Sequence, residues 1–308
     1  MDVGDERATR AAIGFREILD EVNGLEIPTA IFEAAQSRFS GKRYRSRVAE
    51  TLANWHHRHV ELAHVVAESY LADRPSAGFV AARPIFETAM TLSWLWTSTS
   101  SPDAQYASLL LLIDKELAAL AHRLQSPRVR VREKAERQRS ALFGEDREFV
   151  DEARAVGCPA LPGVRVRIET AEDVLRAEYG EPSRLDGAYG YYRVLSSYGH
   201  PTGFGAAVEA GEDGRLRKVA DEGWDLLPLM ITAKELPLML LLLVELAGWT
   251  SGLVQAKAFD GAADRVYRQL HECYKETIPP LLREFMAAAE DEWAASRHPR
   301  DRPPSSSE

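Results

Sequence analysis

The chain has 308 residues, of which 45% are hydrophobic and 28% are charged, a composition typical of globular proteins. Its formal net charge of −9 argues against non-specific attraction to nucleic acid over the whole surface. Two cysteines, Cys158 and Cys273, exclude a disulfide framework and a paired-cysteine metal site. The sequence opens without a basic and hydrophobic leader, so we expect a cytoplasmic protein.

Helical periodicity dominates almost the whole sequence. The first half predicts five helices, separated by glycine, proline and serine residues that end helices. Their predicted ranges are 5–22, 28–39, 44–71, 76–102 and 103–124, and the fifth is expected to resume after a break and run to residue 142. Pro84 lies inside the fourth helix, where it would either bend the helix or mark the start of its regular part.

The middle of the chain, residues 157–223, is the least regular part and is predicted to be an irregular insertion. Residues 158–166 predict a short extended segment, and residues 170–179 predict a short helix capped by its first residue, a threonine. Another helix is expected at 186–198. The glycine-rich stretch 199–223 predicts a loop or a short hairpin.

Two long helices are predicted to complete the fold, at 224–257 and 261–295. The first is the strongest membrane candidate, but its longest uncharged run, 236–244, has only nine residues. A membrane span needs roughly 20 apolar residues, so we predict a buried core helix and no contact with a membrane. The sequence therefore predicts one all-α domain, a multi-helix bundle over residues 1–295, followed by a disordered tail at 296–308.

The first candidate site lies in the fourth helix. Between Ser76 and Pro102 the only charged residues are Arg83 and Glu87, four positions apart in an otherwise uncharged and largely apolar segment. Ionised groups in such surroundings must be paired or hydrogen-bonded. An Arg placed four residues before a Glu has the less favourable order for a local pair, so we expect each to find a partner on another helix. The alternative is a structural ion pair that fixes helix packing.

The second candidate site contains Tyr192, Ser196 and His200, which share one helical face if the helix continues that far. His200 would then lie at a helix C-terminus, because Gly199 is a good helix terminator, and the helix dipole there favours a protonated imidazole. In that position His200 could contact Glu87, bind a phosphate, or transfer a proton as a general acid or base. The alternative is a capping histidine that fixes the following loop.

The third candidate is a metal site in the third helix. His57, Glu61 and His64 lie on one helical face and are all metal-ligating residue types, so a divalent metal is a candidate cofactor. The Glu-x-x-His spacing also occurs in carboxylate-bridged di-iron bundles, which repeat it on a second helix, and this chain has no second copy. Glu87 and His200 could supply further ligands.

The alternative interpretation of this segment is structural. His56 and His59 would then face solvent, while His57 or His64 would satisfy a buried hydrogen bond. Phosphate-loop, nucleophile-elbow and paired-cysteine motifs do not occur in the sequence.

The chain resembles the uncharacterised bacterial helical proteins grouped as DUF5677 in two motifs. The first is Arg-x-x-x-Glu in a hydrophobic helix, and the second, about a hundred residues later, is Tyr-x-x-x-Ser-x-x-x-His. The DUF5677 proteins are loosely similar to the HEPN superfamily, whose helical bundles occur in toxins, antiphage systems and RNA-processing proteins. The resemblance covers roughly residues 45–250, and it makes a candidate catalytic centre of five polar residues, namely Arg83, Glu87, Tyr192, Ser196 and His200.

HEPN ribonucleases use an Arg and a nearby His, with a polar residue directly after the Arg. The stretches 193–200 and 265–271 fit the spacing, but Val follows the Arg in both. In that chemistry the His would move the proton of a 2′-hydroxyl and the Arg would stabilise phosphorane charge. The resemblance also implies a homodimer. The basic stretch 123–139, with seven Arg or Lys and two Glu, would contact RNA.

Three functional hypotheses follow. The first is a HEPN-like, RNA-directed protein of the defence or toxin type. The second is a metal-dependent helical enzyme that uses His57, Glu61 and His64. The third is a non-catalytic bundle, structural or for interaction, in which a buried Arg–Glu–His network sets packing and the choice of partner.

Overall fold

The structure is a computed structural model, and it describes residues 3–23, 26–72, 75–99, 101–125, 127–134, 136, 162–179, 192, 195–196, 208–210, 216–218 and 226–277. The predicted all-α fold is confirmed, because these residues form eight helices of 12 to 27 residues that pack against one another. The predicted tail at 296–308 lies outside the described residues.

The helices, in chain order, are α1 (Val3–Asn23), α2 (Ile27–Arg38), α3 (Arg45–Leu71), α4 (Pro75–Ser98), α5 (Pro102–Leu124), α6 (Val164–Tyr179), α7 (Leu227–Ala247) and α8 (Gly252–Thr277). A short helical segment at 129–134 follows α5. Strands β1 (Val208–Ala210) and β2 (Leu216–Lys218) pair antiparallel, with Val208 opposite Lys218, which confirms the hairpin predicted in the glycine-rich stretch.

Helix α4 is surrounded by other helices and forms much of the core. It packs against α3, α6 and α7, and most of its large apolar side chains, including Phe79, Phe86 and Met90, are fully buried or nearly so. Pro84 lies inside the helix without ending it. Because α4 is enclosed on several sides, its two charged residues lie close to the core, and any partners must come from α4 itself or from the helices around it.

Helix α7 also packs as a core helix, against α2, α3, α4 and α8. Among the described residues it is the one helix that is long and apolar enough to cross a membrane, but 83% of its most apolar window is buried inside the protein. The prediction of a buried core helix is therefore confirmed.

Helix α6 begins at Val164, earlier than predicted. The expected extended conformation is wrong for the last residues of the 158–166 segment, and Thr170 is not a cap, since its hydroxyl lies within the helix and donates to the Val166 carbonyl at 2.8 Å. The reason is packing against α4: Ile168 and Ala171 are fully buried on one face of the helix. This burial outweighs the preference of the valines for extended structure.

The break between the last two described helices also differs from the prediction. Helix α7 ends at Ala247 and α8 runs through Gly261, whereas the sequence predicted a helix to residue 257 and a new one from 261. Gly248 adopts a left-handed conformation with φ of 74°, and its N–H bonds to the Glu245 carbonyl while the N–H of Trp249 bonds to the Val244 carbonyl, each at 3.0 Å. These bonds form the Schellman motif that ends many helices.

Candidate functional site

Arg83 and Glu87 lie one turn apart on α4 and pair with each other. Arg83 Nε donates to Glu87 Oε1 at 2.8 Å, and the two side chains are 27% and 34% exposed. The expectation that Arg83 would need a partner on another helix is therefore wrong. The order of the two residues changes the energy of a local pair by only about 0.2–0.5 kcal/mol, which is less than the cost of leaving a half-buried charge without a partner.

A second guanidinium group, that of Arg167 on α6, approaches the same carboxylate. Arg167 is only 5% exposed, and its Nη1 donates to Thr91 Oγ1 on α4. Burial lowers the pKa of Arg167, while the Glu87 carboxylate and Tyr192 act in the opposite direction. An arginine side chain keeps its proton under these conditions, so Arg167 is a buried positive charge close to Glu87.

Thr91 links the two helices through a single hydroxyl group. Its Oγ1 donates to the Glu87 carbonyl at 2.6 Å and accepts a hydrogen bond from Arg167. Thr91 lies one turn beyond Glu87, so the three α4 residues Arg83, Glu87 and Thr91 form one polar stripe that faces α6. This stripe fixes the position of Arg167.

Arg167 was missing from the predicted site residues. Its neighbours in the sequence alternate between valine and arginine, which favoured an extended segment there. With helical spacing, however, Arg167 falls beside Ile168 and Ala171 on the buried face. A charged residue inside an apolar helical stripe was the signal that could have identified it.

Tyr192 lies beside this group, since it acts on the charge of Arg167. The Tyr192 ring stacks on Phe86 with centroids 6.4 Å apart and an angle of 22° between the planes. Ser196 Oγ and Arg167 Nε are both buried and have no hydrogen-bond partner among the described residues. Unpartnered buried polar atoms are rare in folded proteins and need an explanation, such as a bound polar group.

We call this group of side chains the α4/α6 polar centre; its members are Arg83, Glu87, Thr91, Arg167 and Tyr192. It contains two positive charges and one negative charge. The predicted site residue Ser196 is partly buried, and none of its described contacts joins it to the centre. His200, the remaining predicted catalytic residue, lies outside the described residues, so its contact with Glu87 stays a prediction. Two guanidinium groups beside one carboxylate have the charge and the donor geometry that suit an anion.

The three predicted metal ligands on α3 do not converge. His57 Nε2 lies 3.3 Å from Glu61 Oε1, and both side chains are more than half exposed. His64 Nε2 instead faces Asp20 Oδ1 of α1 at 3.8 Å. Within the described part of the chain, no three His, Cys, Asp or Glu side chains form a group that could hold a metal ion. The metal hypothesis gains no support from this geometry.

The orientation of the α3 histidines is also opposite to the one expected in the structural interpretation, in which His56 and His59 would face solvent. His56 and His59 are each 2% exposed, whereas the side chain of His57 is 59% exposed. His59 Nδ1 lies 2.6 Å from the Trp55 carbonyl, and the His59 ring also bonds to the backbone of Pro84. Both ring nitrogens of His56 lack a hydrogen-bond partner among the described residues, and burial lowers its pKa to about 4.

The basic stretch 123–139 is described at 127–134 and 136. Its basic side chains there are exposed, namely Arg128, Arg130, Arg132 and Lys134. In the second HEPN-like stretch, Arg265 is exposed and its Nη1 donates to the Gly261 carbonyl of its own helix at 3.2 Å. Arg132 likewise has a local partner, since its Nη1 donates to the Pro127 carbonyl at 3.4 Å.

No protein-family model, curated protein or solved structure matches this chain.

Proposed function

We propose that this chain is an RNA-directed helical protein that receives a phosphate group at the α4/α6 polar centre. The observation that supports this most directly is the charge of the centre: the guanidinium groups of Arg83 and Arg167 share the single carboxylate of Glu87. A largely buried group with one excess positive charge is stabilised by an anion. Phosphate matches the guanidinium group in charge and in hydrogen-bonding geometry.

The donors for such a phosphate have distinct positions. Arg167 Nε, which is buried and unpartnered among the described residues, would donate to a phosphate oxygen at the inner end of the centre. Arg83 is the more exposed arginine and would contact the phosphate from the open side. Glu87 would then act as a positioning residue, since it holds Arg83 through the 2.8 Å ion pair.

The HEPN-like resemblance suggests the biological setting. Under this proposal the protein acts on RNA in a bacterial defence or toxin system, in the cytoplasm and as a homodimer. His200 would move the proton of a ribose 2′-hydroxyl, and the two arginines would stabilise the charge that develops on phosphorus. The exposed basic side chains from Arg128 to Lys134 would contact neighbouring phosphates along the strand.

RNA binding by an Arg167→Met variant tests the proposal. Wild type should bind a short single-stranded RNA, and the variant should bind roughly 10- to 100-fold more weakly, because a hydrogen bond to a charged group contributes about 1.5–3 kcal/mol. Fluorescence anisotropy measures the affinity, and circular dichroism checks that the variant is folded. If folded wild type binds no RNA at low salt, the proposal is wrong.

A matched control is available on α8. Arg268 also pairs with an acidic residue four positions away, with its Nε 2.8 Å from Asp264 Oδ2, but its side chain is 77% exposed and lies outside the centre. Arg268→Met should therefore bind RNA like wild type. If Arg167→Met lowers the melting temperature and leaves RNA affinity unchanged, the centre is a structural network, as in the third hypothesis.

The exposed basic residues should contribute in a different way. Replacing Arg130 and Lys134 by Gln should weaken binding to all RNA sequences alike and reduce the slope of log affinity against log salt by about 0.7 for each lost phosphate contact. An unchanged slope would show that the basic stretch is a solvated surface without RNA contacts.

A further inference from the structure

A small cleft lies apart from the polar centre, between α3 and α8, and residues of α1, α2 and α7 complete its walls. Most of the side chains that line it are apolar, whereas His56 of α3 and Gln255 of α8 are polar. The enclosed part of the cleft has a volume of about 20 Å³. Because roughly 10–15 Å³ is enough for one water molecule, the cleft has room for about one such molecule. We call it the His56 cleft.

The His56 ring supplies hydrogen-bonding groups to the wall of this cleft. The side chain is 2% exposed, and neither Nδ1 nor Nε2 has a hydrogen-bond partner among the described residues. A neutral imidazole has one N–H donor and one acceptor nitrogen. Leaving both groups without a bond would destabilise the folded protein, so a polar molecule in the cleft would stabilise it.

Gln255 offers a second polar group to the cleft, from α8. It lies in the first turn of that helix and is exposed to solvent, so it belongs to the open side of the cleft. Its amide carries both a donor and an acceptor group. His56 has no direct bond to this amide, because neither of its ring nitrogens has a partner among the described residues. A small molecule between the two side chains can therefore bond to both of them.

We infer that one water molecule occupies the His56 cleft and bridges the His56 ring to the Gln255 amide. A buried water molecule needs roughly two to four polar partners, and these two side chains supply the minimum. Water both donates and accepts hydrogen bonds, so it can bond to either nitrogen of a neutral imidazole. An ion would leave its charge unpaired among the apolar side chains, and the enclosed volume is too small for a larger molecule.

The bridge would give α8 a polar link to α3. Helix α8 packs mainly against α7 and α1, whereas α3 packs against α1, α2, α4 and α7. At the start of α8, a Cβ at Gly252 would collide with the ring of Trp249, so the glycine allows the ring to lie directly against the helix. Both residues line the cleft, and their close packing helps to keep its volume small.

Nuclear Overhauser effects (NOEs) between water and the carbon-bound ring protons of His56, measured on the full chain at neutral pH, test the inference. Wild type should show NOEs with the sign that is typical of water tumbling with the protein. His59 is the internal control, since it is equally buried but lies outside the cleft lining, and its Nδ1 is 2.6 Å from the Trp55 carbonyl. The His59 ring should show no such NOE.

Gln255→Ala should shorten the residence time of this water molecule roughly three- to tenfold, because one neutral hydrogen bond is lost. The matched control is Gln269→Ala, which should leave the residence time unchanged, since Gln269 is also exposed on α8 but does not line the cleft.

Two results would overturn the inference. The lack of an NOE from water at the His56 ring of wild type would show that the cleft holds no water molecule. An equal residence time in Gln255→Ala and in wild type would show that the water molecule does not form a bridge to α8.

Discussion

Burial lowers the pKa of two basic side chains of this bundle, Arg167 and His56, but the two residues end in opposite charge states at neutral pH. Arg167 has a very high intrinsic pKa and is supported by Glu87, so it stays charged, whereas the pKa of His56 falls from 6.5 to about 4, so His56 is neutral at neutral pH. Arg167 therefore favours an anion, and His56 favours a neutral group that can form hydrogen bonds.

His56 should make the stability of the protein sensitive to acid. Between pH 6.5 and about 4 the unfolded His56 takes up a proton that the folded one does not, so the free energy of unfolding should fall as the pH is lowered through this range. The full difference corresponds to about 3 kcal/mol. His59, whose pKa is also lowered by burial, should add to the loss.

Urea unfolding of wild type and His56→Leu over this pH range measures the effect. The variant should be about as stable as wild type at neutral pH and more stable in acid, because Leu removes the buried base without leaving a polar partner unsatisfied. Identical dependence of stability on pH in the two proteins would contradict the assignment of His56 as a buried neutral base.

At the residue scale, the sequence identified the charges of α4 but not all of their partners. Arg83 and Glu87 stand out because the surrounding helix is uncharged, and that argument needs no structure. The faces of α3 were predicted the wrong way round, although Leu52, Val60 and Ala63 define an apolar stripe that includes His56. The apolar pattern was a better guide to orientation than the metal-ligand spacing.

At the element scale, the local sequence predicts where a helix ends when one residue marks the break, but not when two glycines could each mark it. Helices α1 to α3 begin and end within about two residues of the prediction, which is the usual uncertainty of helix boundaries. Between α7 and α8, both Gly248 and Gly261 are plausible breaks. Gly248 ends α7, and Arg38 of α2 bonds there to the Glu245 carbonyl at 3.3 Å, a contact between distant parts of the chain that the local sequence does not reveal.

Gly248→Ala should destabilise the fold for two reasons. The left-handed conformation costs an L-residue about 1–2 kcal/mol, and a Cβ there would lie 3.2 Å from both Cδ and Nη1 of Arg38. Gly41→Ala is the control, because Gly41 also has a positive φ, 82°, but nothing lies within 4 Å of its Cβ position. The two variants should differ in urea unfolding, with Gly248→Ala the less stable. Equal losses of unfolding free energy in the two variants would mean that the Arg38 side chain moves away from the new Cβ without destabilising the fold.

Gly261→Ala should change the stability in the opposite direction, towards a more stable fold. The residue lies in the interior of α8 with nothing within 4 Å of its Cβ position, so Ala should stabilise the helix by about 0.5–1 kcal/mol. Thermal unfolding followed by circular dichroism measures the change. A loss of stability would favour the sequence prediction, in which a new helix starts at this glycine.

At the scale of the whole molecule, helical periodicity predicted the fold class but not which helices meet. The hydrogen bond from Arg167 to Thr91 joins residues 76 positions apart, and it exists because α6 packs on α4. Periodicity gives each helix a buried face without naming the helix that covers it. For this reason Arg83 and Glu87 could be proposed from the sequence, while the second arginine of the centre required the packed structure.

The central claim is that the α4/α6 polar centre receives a phosphate, and the most direct measurement is the side-chain Nε–H resonance of Arg167 during titration with single-stranded RNA. This N–H has no partner among the described residues, so a phosphate oxygen would give it a new hydrogen bond. The account predicts a shift that saturates with the affinity measured by anisotropy. An Arg167 resonance that stays fixed, while resonances of the exposed Arg128, Arg130 and Arg132 move, would contradict it.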